Sequence, residues 1–279
     1  MEPVLYLVGT PIGNLSDISP RVKATLEKVD FIAAEDTRNT LKLLNYLGIK
    51  KPMISYFEHT KRQRGEEILK KIRDGQIGAL VTDAGMPAIS DPGEDLVALL
   101  YEEGYTVTAV AGPCAFVCGL ILSGLPTGRF CFEGFLSTAK KSRNEHLEAL
   151  KNETRTMIFY ESPQKLKNTL SDFVKTFGGQ RRAALTRELS KLHEQVHRGT
   201  LEELAAYYET ETPRGEYVVI IQGASQITKE NFWDSWSIVE HIEHYKAMGK
   251  SNMDAVKAVA KDRGLPKNEI YKVSIENKN

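Results

Sequence analysis

Along the first half of the chain, short apolar runs of β-forming residues end abruptly at glycine and proline. Val4, Leu5, Tyr6, Leu7 and Val8 give way to Gly9, Pro11, Gly13 and Asn14, residues suited to turns and close backbone approach rather than to packing. The same transition recurs in GALVTDAGMPAISDPG over 78–93 and in VTAVAGPCAFVCG over 107–119. Helix signals lie between the runs: Ser19 as N-cap with Pro20 at the first helical position, and Thr37 opening a helix that Gly48 closes. DFIAAED, PMISYF, IGALVT and YTVTAV read as further strands. Strand and helix in alternation predict a mainly parallel α/β sheet over residues 1–126. Sheets of this kind gather ligands beyond the carboxyl ends of their strands, so the three Gly/Pro turns predict one crevice.

Leu125, Pro126, Thr127 and Gly128 form a predicted linker, after which RFCFEGFL, RTMIFYES, AALTREL and EYVVIIQ resume the strand pattern in a second α/β domain over 127–224. Its strongest helix is predicted to begin at Ser162 and Pro163, with Leu166, Leu170, Phe173, Val174 and Phe177 on one face. That stripe is core packing, not a site. From about Ser225 only helix signals remain: Ile238, Val239, Ile242 and Tyr245 on one face, then 251–264, then a short segment around Ile270 and Val273. These predict a small helical module over 225–279.

Composition adds bounds rather than direction. The chain has 279 residues, 41% apolar and 27% charged, ordinary for globular domains and long enough for about two of them. No apolar run reaches membrane-spanning length and the first strand starts at once, so the expected location is the cytoplasm. Cys114, Cys118 and Cys131 are odd in number and lack paired spacing, which predicts reduced thiols. Basic and acidic residues balance at 37 each, which removes any whole-chain argument for nucleic acid. Local basic clusters remain at Lys61, Arg62 and Arg64, at Lys140, Lys141 and Arg143 in a predicted polar loop, and at Arg181 and Arg182. Each taken alone reads as a solvated face.

Two motifs imitate known chemistry and fail in detail. The first strand, turn and helix followed by Glu35 and Asp36 suggest a dinucleotide fold, but Gly9 and Gly13 are separated by three residues and Pro11 intrudes. His193, Glu194 and His197 spell H-E-x-x-H, yet the stretch follows a strand and Gly199 ends any helix too soon for a zinc site. Glu35, Asp36, Asp83, Asp91, Glu133, Glu161 and Glu188 all fall in or beside predicted turns. Caps and ion pairs account for most such residues, while a crevice collecting several would suit acid and base work.

Through LYLVGTPIGNLSDISPR, AAEDTRNT, LVTDAGMPAISDPG, GPCA, FEGFL, FYESPQKL, RELSKLHE and GEYVVII, in consistent order over residues 5–221, the chain resembles the tetrapyrrole-methylase superfamily of S-adenosylmethionine (SAM) methyltransferases. Within it, the chain is similar to the ribosomal RNA small subunit methyltransferase I family. The resemblance implies two α/β domains with SAM folded in the cleft between them, S-adenosylhomocysteine as product, no metal, and a homodimer. It implies 2′-O-methylation of a P-site cytidine in small-subunit (16S) rRNA, with the small ribosomal subunit or its rRNA as partner and no membrane. Carried over by motif position, the cofactor contacts are Pro11, Met86, Ile89, Cys114, Ala115, Tyr160, Leu189 and Tyr217. The first turn reads T-P-I-G-N where relatives acting on corrinoids often carry G-x-G-P-G, which favours the rRNA branch. A tetrapyrrole C-methyltransferase is the alternative. An RNA-binding assembly protein without catalysis is a third reading, against which the intact turns argue.

A ribose hydroxyl is a poor nucleophile until its proton is taken, so a base is expected at the cleft. Glu188 and Asp36, with Glu35, are the candidates. Arg38 and Lys191 suit phosphate, and Lys140, Lys141 and Arg143 are the candidate RNA contacts of the second domain. From Lys246 onward eight basic residues, Lys278 among them, face four acidic ones. There Lys257 and Lys261 are four apart on a helix that Ser251 and Asp254 can cap, so they share a face on which successive phosphates could lie.

Overall fold

A computed structural model describes residues 2–225 and 231–276; Lys278 of the basic count lies outside them. The first sheet is formed by β1 (Leu5–Val8), β2 (Phe31–Ala34), β3 (Met53–Ser55), β4 (Gly78–Val81) and β5 (Val107–Val110), all parallel in the order β3-β2-β4-β1-β5. Its connections include α1 (Pro20–Lys28), α2 (Thr37–Leu47), α3 (Lys61–Arg73) and α4 (Glu94–Glu102). Side chains alternate across a strand, so Leu5 joins the core beneath α3 and α4 while Val8 joins the core beneath α1 and α2. Both faces are covered, which is why the strands read as unbroken apolar runs. Ser19 caps α1, its hydroxyl accepting from the Val22 amide at 3.2 Å, and Gly48 ends α2 at φ +73°.

α5 (Ala115–Ser123) follows β5 and is apolar on nearly every side. It packs on the second sheet, made of β6 (Phe130–Phe135), β7 (Thr156–Glu161), β8 (Arg182–Arg187), β9 (Gln195–Thr200) and β10 (Tyr217–Ile221) in the order β6-β7-β10-β8-β9. The β6/β7 pair is parallel and the others are antiparallel. Gly119 allows the helix this close: a Cβ there would stand 3.1 Å from Thr186 and Val218. Both ends of α5 are tied to the sheet. The Phe116 amide donates to the Tyr160 hydroxyl at 3.2 Å, and Arg198 of β9 donates to the carbonyls of Leu122 and Ser123, the last-turn acceptors a helix leaves open.

The other face of the second sheet carries α6 (Lys140–Ala149), α7 (Leu166–Phe177) and α8 (Leu201–Thr210) over a core that includes Phe159, Phe173 and Val219. Three expectations are corrected here. Lys140, Lys141 and Arg143 lie on α6 rather than in a loop. Arg143 is largely buried and tied to Asp172 at 2.8 Å and Thr169 at 2.9 Å, so its guanidinium clamps α6 to α7 rather than standing open as a solvated cation. α7 begins at Leu166, because the residues after Ser162 form a turn in which the Lys165 amide donates back to the Ser162 carbonyl at 3.2 Å. β9 had no sequence signal: it is a largely polar edge strand paired with β8 alone.

Residues 2–224 form one compact unit and the described residues from Ser225 another. The second is a bundle of α9 (Ile238–Ala247), α10 (Asn252–Arg263) and α11 (Lys267–Glu276) around Ile242, Val256, Val259 and Ile270. Ser237 and Glu240 form a capping box on α9, Ser251 caps α10, and Gly264 ends it at φ +65°. Trp233 stacks on the buried His241 ring, 4.9 Å away, and Arg263 donates to the Trp236 carbonyl at 2.6 Å.

Candidate active site

The strand ends of both sheets open on one cleft of about 630 Å³. From the first sheet, Glu35 follows β2, the segment 83–91 follows β4, and Cys114 and Ala115 follow β5. From the second, Tyr160 and Glu161 end β7, Glu188 and Leu189 follow β8, and Tyr217 opens the antiparallel β10. Chain direction thus brings the three Gly/Pro turns and three second-sheet ends together, as Gly and Pro beyond strand ends led one to expect.

Backbone approach locks the turns. Thr10 and Gly85 exchange amide-to-carbonyl bonds of 2.8 and 3.1 Å, joining the first turn to the second. The Thr10 hydroxyl adds a bond to the Thr82 carbonyl at 3.1 Å. Gly9 and Gly112 join the first turn to the third: a Cβ on Gly9 would lie 2.6 Å from the Gly112 Cα, and one on Gly112 would lie 2.7 Å from the Gly9 Cα.

Strain concentrates on the two loops that face each other here. Among the described residues, the non-glycine positions with left-handed φ are Ala88 (67°), Ser90 (64°), Glu188 (53°) and Ser190 (62°). Each costs on the order of 1–2 kcal/mol, and such strain gathers where surrounding structure and function hold it in place.

The lining is apolar on some sides and strongly acidic on others. Ile12, Met86, Ile89 and Leu189 supply apolar wall, while Glu35, Asp83, Asp91, Glu188 and Glu216 face one ammonium, that of Lys191, among the described lining residues; the Glu161 carboxylate is buried and accepts from Thr169 of α7 and from the Ser162 amide. Lys191 donates to Glu188 at 2.9 Å. The Thr82 hydroxyl donates to Glu35 at 2.6 Å, and Asn39 donates to Asp83 at 3.0 Å. Among the described residues no cation pairs with Asp91; burial, reinforced by the Glu35 carboxylate, pushes it up to about 6. Burial likewise raises Tyr160, whose ring forms part of the wall.

Comparison with known proteins places this architecture. Residues 4–205 match the family described as Tetrapyrrole (Corrin/Porphyrin) Methylases. The ribosomal RNA small subunit methyltransferase I of Halalkalibacterium halodurans is 47% identical over 96% of this chain and 93% of that protein, and that of Synechocystis is 44% identical over 98% of each. The chain belongs to the ribosomal RNA small subunit methyltransferase I family. At the level of fold alone, this member of the family is similar to the solved uroporphyrin-III C-methyl transferase of Thermus thermophilus complexed with S-adenyl homocysteine. The two share 18% identity and a TM-score of 0.53, over 77% of this chain and 96% of that one.

In this chain the cleft collects Met86, Ile89, Cys114, Ala115, Tyr160, Leu189 and Tyr217, together with Glu188 and Lys191. Pro11 lines an adjoining hollow instead, and Asp36 and Arg38 line neither. Asp36 caps α2 by accepting from the Arg38 amide at 2.8 Å and pairs with the Arg38 guanidinium at 2.7 Å, which together hold its carboxyl at about 2. Such a group is a poor proton acceptor near neutrality. Ile12 and Gln164 are lining that sequence reasoning did not single out, Ser162 and Pro163 were read only as a helix start, and Asp83, Asp91 and Glu161 were weighed only among many turn carboxylates. The H-E-x-x-H string runs through a turn into β9, where the His197 ring packs edge-on against Tyr207 at 4.8 Å. Lys257 and Lys261 are exposed on α10, the former 3.2 Å from Asp254.

Proposed function

We propose that the chain methylates small-subunit (16S) rRNA with SAM as donor, at the ribose 2′-oxygen of a P-site cytidine, in the cytoplasm. Among the described residues no helix is long and apolar enough to cross a membrane. The observation that carries the reading is the cleft itself, in a chain whose 40–47% identical relatives are named for rRNA small-subunit methylation. SAM combines a sulfonium and an ammonium with one carboxylate, so it is a net cation with a flat adenine. Its chemistry fits a volume of about 630 Å³ with apolar wall and the carboxylates of Glu35, Asp83, Asp91, Glu188 and Glu216 against one lysine. Met86, Ile89, Ala115 and Leu189 would hold the apolar parts, and the acidic rim the sulfonium and ammonium. When bound, SAM supplies an electrophilic methyl group for which an alcohol oxygen is a competent acceptor only as its proton leaves.

That proton needs a carboxylate that is free, ionised near pH 7 and not too weak a base. Asp91 fits best, since among the described residues no cation pairs with it and burial raises it to about 6. Glu188 stands second, with Lys191 already on one of its oxygens. Lys191 orients Glu188 through that contact. The tetrapyrrole alternative predicts a different acceptor class, so one assay separates them. With labelled SAM, transfer is expected to small subunits or their rRNA, with the label recovered as 2′-O-methylcytidine after digestion. Label on a porphyrinoid acceptor, or on a base rather than a ribose, would overturn the reading.

The helical module is proposed as an RNA contact. Its Lys257 and Lys261 are exposed one turn apart on α10, spaced to meet successive phosphates. Changing both to Glu is expected to lower affinity for small subunits and flatten its salt dependence while SAM affinity stays parental. Parental binding at every salt concentration would leave the module a purely structural role.

A further inference from the structure

Beside the cleft lies a hollow of about 280 Å³ that the cofactor reading leaves unused. Thr10, Pro11 and Gly13 of the first turn form one wall, and Asn39, Leu43 and Tyr46 of α2 form the other. The two spaces meet at Asp83, which lines both. They meet again where the Lys191 stem lies over Gly13, so close that a Cβ there would stand 2.4 Å from the Lys191 Cγ. On α2 the spacing of Asn39, Leu43 and Tyr46 puts them on one helix face. Tyr46 is 61% exposed and Leu15, at the rim, 44%, so flat apolar surface stands open beside a polar floor. That floor is a chain of hydrogen bonds: Lys42 donates to Asn39 at 3.3 Å, and Asn39 donates to Asp83 at 3.0 Å. Only one Asp83 oxygen is engaged by Asn39; the carboxylate keeps further acceptor capacity toward the shared opening.

An open aromatic ring, a carboxylate with acceptor capacity and an ammonium at the rim match a nucleotide. The base stacks on the ring, an exocyclic amino group donates to the carboxylate, and a phosphate meets the lysine. Resting on the rRNA reading above, we propose that this hollow seats the base of the acceptor nucleotide while its ribose enters the cleft, and that Asp83 selects a base with an exocyclic amino group. Cytosine presents an amino donor where uracil presents a carbonyl oxygen. A carboxylate accepts the first and repels the second.

Small subunits assembled on transcribed rRNA, with either cytidine or uridine at the modified position, supply the test. Tyr46→Ala opens no core, because the ring is exposed. It should raise KM for subunits about tenfold or more, with SAM affinity by calorimetry unchanged and Tyr46→Phe near parental. Asp83→Asn, whose amide can donate to the uracil oxygen, should shrink the cytidine-over-uridine ratio of kcat/KM by about tenfold or more. A parental KM in Tyr46→Ala, or a parental base preference in Asp83→Asn, overturns the assignment. Failure of the unmutated protein to methylate any RNA instead overturns the rRNA reading on which the assignment rests, and the two failures are distinguishable.

Discussion

Gly112→Ala is expected to abolish SAM binding in calorimetry while leaving a folded protein. The methyl group would stand 2.7 Å from the Gly9 Cα and 2.9 Å from its carbonyl carbon. Both are backbone atoms at the ends of adjacent parallel strands, so no side chain can swing aside. The first and third turns must move apart, and with them the Cys114 and Ala115 wall of the cleft. Overpacking of this kind costs about 1–3 kcal/mol, readable as a drop of several degrees in thermal midpoint. Gly128→Ala is the control, since a Cβ there meets nothing within 4 Å. Should Gly112→Ala bind SAM within twofold of the parent, the cofactor does not depend on the glycine contact and the proposed seat is misplaced.

Asp91→Asn carries the second large effect. If Asp91 takes the acceptor proton, the neutral isostere should lower turnover by a factor on the order of 10²–10⁴. Parental turnover should itself decline as pH falls through about 6, where the carboxylate protonates. Stability should move the other way. The folded pKa of about 6 lies above the ordinary aspartate value of 3.8, so between these limits the folded chain binds a proton that the unfolded chain has lost. This favourable contribution is fully present below about 3.8 and is lost as pH rises through about 6. Asn at this position should therefore melt higher than the parent at pH 7.5, and the gap should close toward pH 4. A melting difference that does not change with pH would show that Asp91 is not held near 6. Parental turnover in the variant would hand the proton to Glu188.

The three turns were legible because glycine and proline announce themselves: Gly9, Gly85 and Gly112 each do something no other residue can do as well. Strand ends were legible for the same reason, and chain direction then dictated that they meet. Side-chain allegiance was not legible. Asp36 and Asp91 are both turn carboxylates in sequence, yet one faces its own helix and an arginine two residues on, while the other faces Glu35 across strands. Burial separates them, and burial is a property of the assembled sheets. Arg143 shows the same limit, since its partners Asp172 and Thr169 come from a different helix. α6 was hidden because it is polar around most of its circumference, with Leu147 as its buried residue. β9 was hidden because an edge strand need not be apolar.

The placement of α5 has a consequence for how the chain is made. This helix belongs by sequence to the first sheet, but its apolar inner side is covered by β7, β8 and β10, the last of which ends about a hundred residues later. A ribosome adding ~5–20 residues per second would leave that side uncovered for on the order of 5–20 s. During this interval the first sheet can be complete while Phe116, Cys118 and Leu120 still face solvent or a chaperone. The amino-terminal wall of the cleft, which α5 begins, thus reaches its final position only after the chain through β10 has emerged.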